Sequence, residues 1–368
     1  MFPFFDFDEG FFTTEDLLLL AGASGSLTEA TATGNPATFT TDVQNPLKSF
    51  VVPFSPIQAG SGDPSPSNIR NISGIDSFYA FRTGKNLFGE QTSGVINAYF
   101  GTKIVSANSG FKTVFTFCNP NTTYTISKTA GARFVVGYTK EIPGNNVPTY
   151  GTITDNTASS ITITTGADAA FLVAFIYNVS YDTITAEEMI ASVQVEVGDK
   201  ASAFEPFDGE YYHVEFPDGQ TIYGGSLDLV SGVLTVEWLK LNLSERYFDY
   251  YDTASGHLFR TTVIQGWDAK SNSTDFYVNT YKITTQAQRA NLTASVSADG
   301  RLDIIDDDYS DRDSFKAALA EMGAVLVYHL ATPQTIQLDP VTIQTPIGNN
   351  TVWTDTNGTN TVVYLKKK

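Results

Sequence analysis

The chain contains few of the residues that build disulfides and metal centres. Its 368 residues include one cysteine, Cys118, so neither an internal disulfide nor a cysteine-rich zinc site is expected. Cys118 follows the alternating run KTVFTF, which predicts a buried core thiol rather than a nucleophile. The histidines lie far apart without the spacing of metal ligands, and their positions are His213, His257 and His329.

Positive charge is also scarce, because 22 Lys and Arg stand against 40 Asp and Glu, for a net charge of −18. Nucleic-acid binding needs stripes of Lys and Arg, so we expect no nucleic-acid partner. The basic cluster at residues 366–368 is typical of a solvated tail. No apolar run approaches the ~18 residues that cross a membrane. The acidic start MFPFFDFDEGFF is unlike a secretory signal, so we expect synthesis in a cytoplasm.

Recognisable catalytic motifs are missing as well. The sequence has no G-x-S-x-G elbow and no phosphate loop with a lysine. Paired carboxylates from distant strands stay open as an alternative, but we expect most acidic residues to be solvated and the protein not to be an enzyme. The acidic run DIIDDDYSDRD lacks the mid-loop glycine and closing glutamate of an EF-hand, and it leads into a helix whose N-terminus it would stabilise.

What the sequence does contain is alternation of apolar and polar residues. With 42% hydrophobic and 13% aromatic residues, it has material for several cores. Period-two runs separated by Gly, Asn, Asp and Pro predict an all-β fold of antiparallel sandwiches or barrels. We expect only three short helices, in TTEDLLLLAGASG, TAEEMIAS and SDRDSFKAALAEMG, the last running from Ser310 to Gly323.

A series of short sequence segments, spread over roughly residues 35–368, carries a resemblance to a known class of proteins. Taken in order, they resemble tail and baseplate-type structural proteins of phages and prophages of Gram-positive gut bacteria. The resemblance implies a virion component that assembles as a closed homo-oligomer such as a trimer. The phrases are FVVPFSPIQAGSGDPSPSNIRNISG, TGKNLF, NPNTTYTIS, VQVEVGDKASAFEPFDG, YGGSLDLVSGVLTVEW, VYHLATPQTIQLDP and NNTVWTDTNGTNTVVYL.

Within that series, residues 84–207 are similar to jelly-roll modules of the carbohydrate-binding kind. The resemblance implies a jelly roll that binds a sugar or a structural calcium ion; no other cofactor is expected. No tryptophan occurs between residues 75 and 210, so Tyr or Phe would have to provide any sugar-stacking surface. The closing strand is matched by Gly198, Ala201, Phe204, Glu205 and Pro206.

The order of these parts predicts an insertion. We expect an attachment segment to other virion proteins at 1–32, a strand and elbow at 33–78, a jelly roll at 79–208 and a second β domain with one helix at 209–368.

The stretch AGSGDPSPSNIRNISG is predicted to be a semi-rigid elbow, with a floppy tether as the alternative. Its prolines, Pro64 and Pro66, fix φ, whereas Gly60 and Gly62 permit unusual φ values.

We therefore expect a non-enzymatic virion protein at the tail tip or baseplate that presents β modules to a host-surface glycan. A head fibre or capsid decoration protein without glycan binding, and a wall polysaccharide depolymerase, are the alternatives. Candidate ligand-binding residues are aromatic residues on turns with polar neighbours: Trp267 with Asp268, and Tyr138 with Lys140. Packing of either ring under a loop or at a subunit contact is the competing interpretation.

Overall fold

The computed structural model describes residues 26–89, 93–107, 111–128, 133–155, 158–177, 191–268, 275–297, 299–356 and 358–368. The helix predicted at 13–25 and most of the one predicted at 185–192 lie outside these residues, as does the greater part of the expected attachment segment.

The strands fall into three stretches of chain. The first holds β1 (Leu27–Gly34), β2 (Ala37–Thr41), β3 (Asn45–Pro46), β4 (Ser49–Phe54), β5 (Ile57–Gln58), β6 (Ile72–Ser73) and β7 (Ser77–Thr83). The second holds β8 (Ser93–Phe100), β9 (Ile104–Ser106), β10 (Lys112–Phe117), β11 (Thr123–Lys128), β12 (Arg133–Thr139), β13 (Tyr150–Asp155), β14 (Ser160–Thr164), β15 (Phe171–Tyr177) and β16 (Val193–Val197). The third holds β17 (Gly209–Glu215), β18 (Gly224–Asp228), β19 (Val233–Asn242), β20 (Phe248–Thr253), β21 (Gly256–Thr261), β22 (Phe276–Val278), β23 (Lys282–Ile283), β24 (Thr293–Val296), β25 (Leu302–Ile305), helix α1 (Arg312–Glu321), β26 (Val325–Gln337), β27 (Gln344–Thr345), β28 (Gly348–Thr354) and β29 (Asn360–Lys367).

The all-β prediction is confirmed, because strands dominate and pair almost throughout in antiparallel fashion. The jelly-roll topology expected for the middle stretch stays a prediction. Short 3₁₀ turns at Pro217–Gly219, Leu243–Glu245 and Gln286–Gln288 accompany α1.

Strands from the first and third stretches build one sandwich. A seven-stranded sheet, β1-β29-β4-β18-β19-β26-β22, lies over a four-stranded sheet, β17-β7-β28-β2. Alternation in β4, SFVVPF, buries Phe50, Val52 and Phe54 in the core between the sheets. Because β1 begins at Leu27 and pairs along its length with β29, residues 27–32 belong to this sheet and not to a separate attachment segment.

A second core lies beyond the sandwich, in what we call the helix-bearing body. It is formed by the sheet β20-β21-β25-β24-β23, by α1, and by the ends of β19 and β26, which run on from the sandwich. Residues 209–368 therefore hold two cores, not one.

Helix α1 begins later than expected, at Arg312, because Asp311 is its N-cap. The Asp311 carboxylate accepts hydrogen bonds from the backbone N–H groups of Asp313 and Ser314. Phe315 and Leu319, one turn apart, are the residues it buries.

The middle stretch forms its own pair of sheets, which we call the inserted module. The sheets are β13-β12-β15-β10-β8-β9 and β14-β11-β16, and their shared core includes Cys118, which is 7% exposed and whose thiol pKa is raised by burial. The strands on either side of the module, β7 and β17, pair with each other, and the N–H of Gly84 donates to the carbonyl of Asp208 at 2.6 Å. The chain thus leaves and re-enters the sandwich at one point.

Aromatic rings join the module to the sandwich. Phe81 on β7 stacks on Trp353 of β28 with ring centroids 4.0 Å apart. Phe117 of the module lies 5.8 Å from Phe81 and 5.9 Å from Trp353. The amide of Asn119 donates to Asn35 at 3.4 Å beside these rings. The module is therefore fixed by packing as well as by its two chain connections.

The stretch at residues 59–74 is held by one arginine. The Arg70 guanidinium donates to the carbonyls of Gln58, Ala59, Gly60 and Gly62 at distances of 2.6–3.2 Å. Gly60 and Gly62 have φ of +84° and +78°, values that side-chain-bearing residues seldom adopt. These bonds favour the elbow over the tether.

Candidate functional site

Trp267 does not occupy the exposed position expected for it. It is 7% exposed and lies in the core of the helix-bearing body, 5.4 Å from the ring of Phe276 and 5.7 Å from that of Tyr328. The cause is a long-range contact: Trp267 forms an antiparallel bridge with Leu330, which turns the ring inward despite the neighbouring turn residues. The expectation that this ring stands exposed on a turn is wrong.

Asp268 is half-buried beside it. Its backbone N–H donates to the carbonyl of His329 at 3.0 Å, which ties this residue to β26. Trp267 and Asp268 thus lie in a different body from the other two candidates, and the four residues do not form one site.

Tyr138 and Lys140 do lie together, and the structure adds two residues to them. We call Tyr138, Lys140, Tyr150 and Asp168 the Tyr150 group. Tyr138 on β12 pairs across the sheet with Tyr150 on β13, with ring centroids 5.8 Å apart and an interplanar angle of 25°. The Lys140 Nζ lies 4.9 Å from the centroid of Tyr150 and 2.8 Å from an Asp168 carboxylate oxygen.

Glycines determine the positions of the Tyr138 and Tyr150 rings. A bulge at Gly137 shifts the register between Val136 and Tyr138. A Cβ at Gly151 would lie 2.9 Å from the Tyr138 ring, and one at Gly166 would collide with its hydroxyl. Tyr138 is therefore a half-buried support, whereas Tyr150 is 36% exposed on an edge strand.

The polar members of the group remain available to a ligand. Lys140 is exposed, and its hydrogen bond to Asp168 raises the pKa of the ammonium, which keeps it cationic. An ammonium near an aromatic face, with a carboxylate alongside, matches what a sugar needs: a ring for its C–H face and polar groups for its hydroxyls.

The sequence analysis missed Tyr150 and Asp168. Tyr150 precedes Gly151 in VPTYGT, a signal like the Gly137–Tyr138 pair, but its partner depends on strand register. Asp168 stands in the turn TTGADAA, which carries no signal of its own.

The phrases GKNLF and VQVEVGDKASAFEPF meet in what we call the closure network. The Asn86 side-chain amide donates to the carbonyls of Val193 and Glu205, and its oxygen accepts the N–H groups of Phe88 and Val195.

The same network buries an acid and an amide of β16. Gln194 is fully buried and Glu196 is 5% exposed, and the two side chains share a 2.7 Å hydrogen bond. Glu196 also accepts from the hydroxyl and N–H of Ser202, and Gln194 accepts from the N–H of Glu205. These residues close the module.

Within the described ranges, no three His, Cys, Asp or Glu side chains are grouped so that they could hold a metal ion. In the same part of the chain, no helix has the length and apolar character to cross a membrane. No protein-family model, curated protein or solved structure matches the chain.

Proposed function

We propose that the protein is a non-enzymatic structural protein of a phage or prophage virion, at the tail tip or baseplate, that attaches to a host-surface glycan. Three things support the proposal: the ordered sequence segments that carry the resemblance, the all-β fold, and the Tyr150 group on the inserted module.

The Tyr150 group is the observation that carries the glycan part. Tyr150 offers a ring, and Lys140 and Asp168 offer a donor and acceptors within one sugar's reach. The net charge of −18 disfavours anionic wall polymers, so neutral or cationic wall polysaccharide is the ligand class.

The junction between module and sandwich supports presentation of this group. The Phe81, Trp353 and Phe117 contacts fix the module against a sandwich built from both ends of the described chain. A surface that is held in one orientation loses less entropy on binding than a mobile one.

The test is binding of purified host wall polysaccharide by the wild type, Tyr150→Ala and Tyr138→Ala. We expect Tyr150→Ala to weaken binding by about tenfold, from the stacking energy of one aromatic ring. Tyr251→Ala is the matched control, since Tyr251 is 43% exposed in the helix-bearing body. Equal affinity in all four proteins would refute the site, and no binding by the wild type would refute glycan attachment.

A head fibre or capsid decoration protein is the second candidate. Two apolar side chains, Ile142 and Ile347, are 72% and 68% exposed, which favours contacts with other virion proteins. Imaging of virions labelled with an antibody to this chain separates the two, because tail tip, neck and capsid give different label positions.

A further inference from the structure

A second aromatic surface lies on the sandwich, away from the Tyr150 group. We call Tyr79, Tyr211 and His213 the aromatic ledge. The ring of Tyr79 stacks on that of His213 with centroids 4.5 Å apart and an interplanar angle of 15°. Tyr211 lies 6.4 Å from Tyr79 at 36°. The two tyrosines are 38% and 47% exposed, so the ledge faces solvent.

Strand register puts these rings on one face. His213 pairs with Tyr79 and Tyr211 pairs with Phe81, so all four side chains point to the same side of β7 and β17. The row continues through Phe81, whose ring is covered by Trp353 and the module. The ledge is thus the uncovered end of an aromatic row whose other end is packed.

A hollow of about 480 Å³ adjoins the ledge, and His213 belongs to both. This volume lies in the range of small-ligand sites and would admit one or two sugar rings. Apolar side chains make up much of its wall; they are Val214, Pro217, Leu227, Leu229, Leu338 and Val341.

The surroundings of the ledge are acidic. Glu215 and Asp339 line the hollow, and Asp355 accepts the Tyr79 N–H at 2.9 Å. The described lining of the hollow includes no Lys or Arg. Arg82, on the same strand as Tyr79, is 4% exposed and forms an ion pair with Asp208, so its charge is already paired.

We propose that the aromatic ledge and the hollow bind a glycan that carries free amino groups. The C–H face of one sugar stacks on Tyr211 and Tyr79, and its ammonium lies near Glu215 or Asp339, where opposite charge and the ring faces both attract it. The inference deepens the glycan attachment proposed above, but it concerns different residues.

The test is calorimetric titration with a glucosamine tetrasaccharide, alongside its fully N-acetylated form and cellotetraose. We expect the wild type to bind the free-amine form at least about fivefold more tightly than the other two, and more weakly as salt is added. Tyr211→Ala should lower that affinity by about tenfold. Glu215→Gln should lower affinity for the free-amine form alone, by about threefold.

Tyr247→Ala is the matched control, because Tyr247 is 51% exposed in the helix-bearing body and should leave binding unchanged. Thermal unfolding of each variant checks the fold. The inference is overturned if the wild type does not bind the free-amine form, binds the acetylated form equally well, or binds unchanged after Tyr211→Ala.

This result is separable from the proposed function. Binding of the tetrasaccharide at the ledge without binding of wall polysaccharide would uphold the ledge and refute the host attachment. Binding of wall polysaccharide that depends on Tyr150 and not on Tyr211 would uphold host attachment through the Tyr150 group and would refute a role of the ledge in it.

Discussion

The helix-bearing body and the inserted module each bury a carboxylate, but they give it different partners. The body buries a formal charge: Asp303 is 1% exposed and bonds to the guanidinium groups of Arg260 and Arg289. The module uses neutral partners: its buried carboxylate, Glu196, bonds to Gln194 and Ser202, and the Asn86 amide makes further hydrogen bonds nearby. We conclude that the carboxylate of Asp303 depends on charged partners and that of Glu196 on neutral ones.

The comparison also explains what the resemblance covers. The sequence segments around Asn86 and Gln194 contain residues of the closure network, whereas Tyr138 and Tyr150 lie outside these segments. The phrases therefore bear on how the module is built, and they say little about the ligand.

The largest effect is expected from Asp303→Asn. Removing this charge leaves two largely buried guanidinium groups without a full partner, which should lower the free energy of unfolding by about 3–5 kcal/mol. Trp267 fluorescence reports this body, because its ring lies in the same core. The control is Asp299→Asn, whose exposed pair with Arg301 should contribute at most about 1 kcal/mol. Equal effects of the two changes would show that the buried pairs of Asp303 stabilise the fold no more than the exposed pair of Asp299 does.

Asn86→Ala tests the module side of the comparison. It leaves the N–H groups of Phe88 and Val195 without their acceptor, and we expect a loss of about 2–3 kcal/mol. The inserted module has no tryptophan, so hydrogen exchange of its strands is the measurement. Asn242→Ala, which removes an exposed bond to Glu245, is the control. Loss of protection in the helix-bearing body rather than in the module would contradict the assignment.

Gly166→Ala tests whether polysaccharide binding by the Tyr150 group can be lost while the closure network stays intact. The added methyl group meets the Tyr138 hydroxyl, so the ring must shift, at a cost of about 1–2 kcal/mol. Polysaccharide binding should fall while the closure strands keep their hydrogen-exchange protection. Gly144→Ala is the control, since its nearest neighbour would be 3.9 Å away. Unchanged binding would show that Tyr138 does not support Tyr150.

The smallest effect concerns pH. Burial raises the pKa of Asp306, which outweighs the hydrogen bonds from Tyr281 and the Asp308 N–H that lower it. The folded state therefore holds this proton more tightly than the unfolded chain. The free energy of unfolding should fall as pH rises from the unfolded value, about 3.9, through the folded pKa. Asp306→Asn should flatten this fall in urea titrations between pH 4 and 7; an unchanged slope would assign it to other groups.

Local patterns predicted more than long-range ones did. Alternation indicated the strands, Gly60 and Gly62 indicated the elbow, and the acidic run indicated that a helix follows it, because each depends on neighbours in sequence. The burial of Trp267 depends on Leu330, more than sixty residues away, and no local pattern reveals it.

The other features that the sequence did not predict also depend on long-range contacts. Tyr150 was missed because register across β12 and β13 places it. The separate core of residues 209–368 was missed because β19 and β26 pass through both bodies, and a continuous strand leaves no boundary in the sequence.

The single hydrogen bond between Gly84 and Asp208 marks where the module could be exchanged. Any domain whose two termini lie equally close can be joined to β7 and β17 without altering the sandwich register. A protein with such an insertion point could acquire another module by replacing residues 85–207 alone; the sandwich would keep its strand pairing and would lose the contacts that Phe117 and Asn119 make with it.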